Sequence, residues 1–176
     1  MRWKEFRRNE TVYTLEHLHP FTFDVIVPAK ADKPERSYQL NVEFSLHCFT
    51  RGAAAAEEIP ADLAYQDNRE TRIFDFDRYA RSKELPDIIR SLDERKCFHD
   101  RHGNFYVFEI IEEDGSRRYY SVFFKLSNAG KKIGLNLFIS SAHDRDEPPY
   151  RKNPKPIRFH VLVHNIWAGK VIRPAP

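Results

Sequence analysis

The chain has 176 residues, of which 41% are hydrophobic, and its 29 basic and 26 acidic side chains leave a formal net charge of +3. That apolar content suffices for the core of one domain, and a chain with only six glycines is not a low-complexity sequence. The near-balance of charge excludes a strong field over the whole molecule, so attraction to nucleic acid must come from local patches.

No apolar run approaches the ~20 residues that a membrane span needs, and the stretch from Met1 to Arg8 lacks the apolar segment of a signal peptide. Cys48 and Cys97 are isolated, which is neither a disulfide framework nor a zinc-ligand spacing. These features predict a cytoplasmic protein of a reducing compartment, with no membrane partner and no cofactor.

In chain order, Phe21, Phe23, Val25 and Val27 alternate with polar positions. Tyr38, Leu40, Val42, Phe44, Leu46 and Cys48 then do the same, with Gln39, Asn41, Glu43, Ser45 and His47 on the opposite face. The two runs predict an N-terminal β-hairpin over about 21–49. Residues 50–73 lose all periodicity and read as a long loop, functional or partly helical. From about 75 to 95, Ser82 can cap a turn in which Leu85, Ile88, Ile89 and Leu92 recur at helical spacing, which predicts one main helix with Pro86 near its start or at a kink.

Residues 104–167 read as a four-stranded antiparallel meander, with strands over about 104–112, 118–126, 133–142 and 157–167. Asp114-Gly115 marks a two-residue hairpin and Asn128-Ala129-Gly130-Lys131 a four-residue loop. The first turn sets Val107 opposite Val122 and Phe105 opposite Phe124; the second sets Phe123 opposite Asn136 and Ser121 opposite Phe138. One face then carries Phe105, Val107, Tyr120, Val122, Phe124, Leu126, Ile133, Leu135, Leu137 and Ile139. The other mixes Tyr106, Phe108, Tyr119, Ser121, Phe123, Lys125, Asn136, Phe138 and Ser140. The expected fold is a single α+β domain over residues 1–176: N-terminal hairpin, one main helix, C-terminal four-stranded antiparallel meander.

Three constellations could carry chemistry. Ser141-Ala142-His143-Asp144-Arg145-Asp146 closes the third meander strand, where a rigid scaffold feeds a long loop. A His beside an Arg suits RNA cleavage, one moving the 2′-hydroxyl proton and the other stabilising phosphate charge; exposed ion pairs in a turn are the plainer alternative. A metal at His143, Asp144 and Asp146 is opposed by Arg145 within the cluster. His47 shares a predicted face with Glu43 and Ser45, and Arg51 follows just past the strand, a second acid–base candidate or else a solvated sheet surface.

The third is a basic and aromatic patch. Arg145, Arg151, Lys152, Lys155 and Arg158 surround the loop before the fourth strand, while Tyr106, Phe108, Tyr119 and Phe138 offer ring faces. Such interleaving suits single-stranded nucleic acid, unless the N-terminal hairpin covers the aromatics as a second core layer. Arg158, His160 and His164 fall on one face of the predicted last strand, with His160 and His164 about 13 Å apart, too far to share a metal, so that Arg158 and His160 are expected to line a wet, RNA-contacting surface. His99 and His102 read as exposed turn residues.

The span from Phe74 to Trp167, with Arg118-Tyr119-Tyr120-Ser121-Val122-Phe123-Phe124 in its second strand and Ser140-Ser141-Ala142-His143-Asp144-Arg145 closing its third, resembles the barnase/EndoU/RelE-like small ribonucleases, many of them toxins. The resemblance is topological and implies metal-independent RNA cleavage by Lys125, His143 and Arg145. Two functions stand open: an endoribonuclease of toxin or mobile-element type, with His47 and Arg51 as further candidates, or a non-catalytic module that binds nucleic acid or protein. The expected partner is RNA, alongside a protein partner or inhibitor.

Overall fold

The computed structural model describes residues 1–29, 34–99, 104–113, 116–130, 132–147 and 155–172. In chain order the elements are β1 (Phe6–Arg8), β2 (Thr11–Tyr13), β3 (Phe21–Val27), β4 (Arg36–Phe44), β5 (Thr50–Arg51), β6 (Ala64–Gln66), β7 (Thr71–Phe74), α1 (Phe76–Ser82), α2 (Leu85–Arg90), β8 (Lys96–His99), β9 (Phe105–Glu113), β10 (Ser116–Gly130), β11 (Gly134–Arg145), β12 (Ile157–Arg158) and α3 (Phe159–Trp167). Short 3₁₀ turns lie at Glu16–Leu18, Leu46–Cys48 and Leu92–Glu94.

Seven strands form one sheet in the order β12-β8-β9-β10-β11-β4-β3. Every pairing is antiparallel except β11 with β4, which run parallel with Leu135 beside Leu40 and Ile139 beside Phe44. Smaller sheets join β1 to β2 and β5-β7-β6. The apolar face of the large sheet carries Leu40, Val42, Val107, Val122, Phe124, Leu135, Leu137 and Ile139. Leu85, Ile88, Ile89 and Leu92 from the α2 region join the same buried cluster, with Phe159, Leu162 and Val163 from α3.

This architecture corrects the expected fold in four respects. The N-terminal hairpin does not stand apart from the meander or lie over it; β4 extends the sheet edge-on by pairing with β11, making a seven-stranded mixed sheet. The single helix over 75–95 is instead α1, α2 and a 3₁₀ turn. Asp75 caps α1, its carboxylate accepting from Arg78 N at 3.0 Å, and Pro86 cannot donate to the Ser82 carbonyl, so the helix breaks and restarts at Leu85.

The expected fourth meander strand is a two-residue strand followed by α3. Phe159, Leu162 and Val163, at i, i+3 and i+4, are all fully buried, so burial of a helical stripe overrides the β-branched composition. The expected loop over 50–73 contains β5, β6 and β7, whose Tyr65 and Phe74 pack with Trp3, Phe6 and Phe49.

The first meander register is as expected, with Val107 opposite Val122 and Phe105 opposite Phe124; the Asp114-Gly115 turn itself lies outside the described residues. The second is not. Lys125 faces Phe138 and Ser127 faces Asn136, because β10 continues through Asn128 to Gly130 before turning. This slip is by an even number of residues, so each side chain keeps its face, although Ile133 ends 58% exposed.

A further irregularity sits at Ser140. Phe124 pairs with Ile139 while Phe123 pairs with Ser141, leaving Ser140 as a bulge. Beyond it the phase inverts: Ala142 and Asp144 join the core face, and Ser141, His143 and Arg145 turn to the mixed face. At the other end of β11, Gly134 has φ +95°, and a Cβ there would come within 2.4 Å of the Gln39 carbonyl oxygen on β4.

Candidate functional site

The mixed face is organised by β10 and β11. Successive rows place Tyr119 beside Arg145, Ser121 beside His143, Phe123 beside Ser141, Lys125 beside Phe138 and Ser127 beside Asn136. With about 7 Å between rows, the stripe is on the order of 27 Å long. Lys125, Asn136, Phe138 and Arg145 are exposed, whereas Tyr119, Phe123 and His143 are half-buried.

A chain of rings crosses this face. Phe98 stacks on Tyr106 at 5.5 Å, Tyr106 meets Phe123 at 5.5 Å, and Phe123 stacks on the His143 imidazole at 5.8 Å with 19° between planes. Tyr106 is only 2% exposed, so its ring serves packing, and Tyr119 sits edge-on to Phe108 at 5.9 Å. At the Asn136 end the face opens into a groove of about 720 Å³ lined by Thr22, Asn41, Glu43, Arg69, Asn136 and Phe138.

His143 Nδ1 and the Ser141 hydroxyl share a hydrogen bond at 3.2 Å. Burial, reinforced by the guanidinium groups of Arg78 and Arg145, lowers the imidazole from its ordinary 6.5 to about 4, so it is neutral at pH 7. Arg78 reaches in from α1; its Nη1 donates to the carbonyls of Thr50 at 2.9 Å and His47 at 3.3 Å, and Asp75 lies 4.0 Å from its Nε. On the opposite face Asp144 pairs with Arg81 at 3.6 Å instead of joining His143.

The other expected site residues are dispersed. His47 is not on the strand face with Glu43: the Ser45 hydroxyl accepts from His47 N at 3.1 Å and starts a 3₁₀ turn, and His47 Nε2 pairs with Glu70 at 2.8 Å. Arg51 is held in a two-pronged pair with Glu57, at 2.6 and 2.8 Å, which in turn keeps that carboxyl down at about 2. Lys125 lies two rows from His143, about 13 Å along the strand.

Arg158 precedes α3, and His160 and His164 lie one turn apart on that helix, not along a strand, with His164 Nδ1 hydrogen-bonded to the Tyr38 hydroxyl at 2.8 Å. Lys155 is exposed. His99 closes β8 and is not a turn residue. Arg151, Lys152 and His102 lie outside the described residues.

Arg78 was missed from sequence. Its signal is the Asp75 cap, which fixes the first turn of α1 and so the residue three positions on, whose side chain reaches the His47 and Thr50 carbonyls.

The fold and this face describe an α+β protein built on a mixed sheet, with a partly covered aromatic stripe on its second face that carries exposed cations at Lys125 and Arg145. The chain belongs to the YjaZ family, which matches residues 5–167. It is similar to Protein YjaZ of Escherichia coli strain K12, at 29% identity over 148 residues that cover 83% of this chain and 80% of that protein. No solved structure matches significantly. Among the described residues, no helix is long and apolar enough to cross a membrane.

Proposed function

We propose that the protein is a non-catalytic module that binds single-stranded nucleic acid along the β10–β11 stripe. The observation that carries this reading is the row register, which sets ring faces between two cations: Arg145 with Tyr119, then the neutral His143 ring, then Phe123, then Lys125 with Phe138. Phosphates need cations and unstacked bases need π surfaces, and this strand pair offers both on one face. Lys125 and Arg145 are exposed and have no ionic partner among the described residues, so their charge is available to a ligand.

The reading favours binding over cleavage because the groups that would join His143 and Arg145 in proton transfer are either spoken for or apart. Arg51 is paired with Glu57, His47 with Glu70, and Lys125 is two rows from His143. An imidazole near pKa 4 is also a weak general base at neutral pH.

Fluorescence anisotropy with a labelled single-stranded RNA in chelator tests the proposal. Phe138→Ala is expected to weaken binding by about 5- to 100-fold, and Lys125→Ala to reduce the salt slope by about 0.7. Absence of saturable binding overturns it. RNA turnover that disappears in His143→Ala or Arg145→Ala would replace it with the metal-independent ribonuclease that the barnase/EndoU/RelE-like resemblance implies.

A further inference from the structure

Beyond Phe138 the mixed face continues onto β4 and β3, where three registers define two transverse rows. One runs Lys125, Phe138, Glu43; the next runs Ser127, Asn136, Asn41, Thr22. All of these except Lys125 line the groove of about 720 Å³ at this end of the stripe, a volume within the ~300–1,000 Å³ of small-ligand sites. The two charged groups in its lining, Glu43 and Arg69, are of opposite sign, so the groove does not select a phosphate.

Its hydrogen-bonding groups are unevenly committed. Asn41 Nδ2 donates to the carbonyls of Ile133 at 2.9 Å and Leu135 at 3.2 Å. Both N–H groups are thereby spent, the carboxamide is fixed, and Oδ1 remains as an acceptor. Glu43 Oε1 meets the Met1 amino group at 3.0 Å in an exposed pair that is worth little in water, and Oε2 has no bond to any described residue. The Asn136 carboxamide is exposed and makes no hydrogen bond with a described residue, so it offers a donor as well as an acceptor.

We propose that this groove reads a guanine. The inference rests on the nucleic-acid reading above and deepens it by naming the base held at this end of the stripe. The Phe138 ring, 36% exposed, is the stacking platform. Its cross-strand neighbours differ in sign, each about 5 Å away across the sheet: Lys125 on β10 takes the adjoining phosphate, and Glu43 on β4 meets the edge of the stacked base. A carboxylate offers two parallel acceptors. Guanine alone among the four RNA bases presents two adjacent donors, N1–H and the 2-amino group, and its O6 accepts from Asn136. Adenine and cytosine set an acceptor beside their amino group, and uracil flanks its one N–H with two carbonyls, so each leaves the carboxylate facing a lone pair.

Fluorescence anisotropy of the full chain tests this, with labelled ten-nucleotide oligouridylates that carry one central guanine, adenine or uracil. The adenine oligomer controls for purine stacking. Guanine is expected to bind about 10-fold tighter than adenine. Glu43→Gln, at an exposed position that spares the fold, replaces one acceptor by a donor and is expected to bring that ratio close to one. Lys125→Ala is expected to weaken all three oligomers and leave the ratio standing. A guanine-to-adenine ratio near one in the unaltered protein, or a ratio that survives Glu43→Gln, overturns the guanine site and leaves the nucleic-acid stripe intact. Absence of saturable binding by every oligomer overturns the stripe, and the guanine site with it.

Discussion

The even- and odd-numbered residues of β10 share one backbone and one twist, yet they inhabit different surroundings. Tyr120, Val122, Phe124 and Leu126 are buried against helices, while Tyr119 and Phe123 are half-covered and Lys125 and Ser127 stand in solvent. On the first face side chains are consumed by packing. On the second, ring faces and cationic donors are left over, and a surface with leftover donors is one on which a ligand can be held.

The largest expected effect comes from breaking the seam on which both faces depend. Gly134→Ala adds a Cβ against the Gln39 carbonyl at a backbone angle that suits glycine, and about 3–5 kcal/mol should be lost in chemical denaturation. Adjacent residues of β11 then sharpen the contrast. Leu137→Ala, on the closed face, is expected to cost about 2–5 kcal/mol. Phe138→Ala, on the open face but only 36% exposed, should cost less, about 1–2 kcal/mol by the same measurement, while reducing RNA affinity as proposed above.

Acid gives a smaller effect. His143 on the open face and His17, whose Nε2 donates to the buried Ser82 hydroxyl at 2.8 Å, are both lowered to about 4, chiefly by burial. The unfolded chain takes these protons near 6.5 and the native state only near 4. Between those values the unfolded state therefore binds more protons, and stability present above pH 6.5 is lost as pH falls toward 4. Because both rings are partly solvated, the loss should be about 1–2 kcal/mol per histidine, discounted for screening. Denaturation midpoints from pH 7 to 4 check this, and His17→Gln or His143→Gln should each flatten the dependence.

Much of the strand content was legible because alternation is a local signal. Phe105 to Leu126 announced their two faces, and the hairpin of β9 and β10 takes the register that its turn dictates. What stayed hidden depended on distant partners. Nothing local distinguishes Phe159–Trp167 as helix from strand until Phe159, Leu162 and Val163 find a core to enter. Nothing in Tyr38–Phe44 tells that its neighbour is Gly134–Ile139 in parallel.

The site was legible to the same degree. His143 and Arg145 stood out as residue types at a strand end, but the bulge that puts them beside Phe123 and Tyr119 is a single unpaired Ser140 with no turn residue to mark it. Arg78 belongs to a helix whose docking on β11 is a tertiary matter.

The parallel seam also sets an order of events in time. β9, β10 and β11 are joined in sequence and can pair early, whereas Asn41 must find the Leu135 carbonyl across 94 positions of chain. Until that search ends, β11 presents a free edge along residues 135–139, and Phe138 has β10 on one side and no strand on the other. Folding should therefore show a slow final step in which the early-synthesised β3–β4 hairpin is captured by nearly the last strand to emerge, and the groove beside Asn136 comes into being only then.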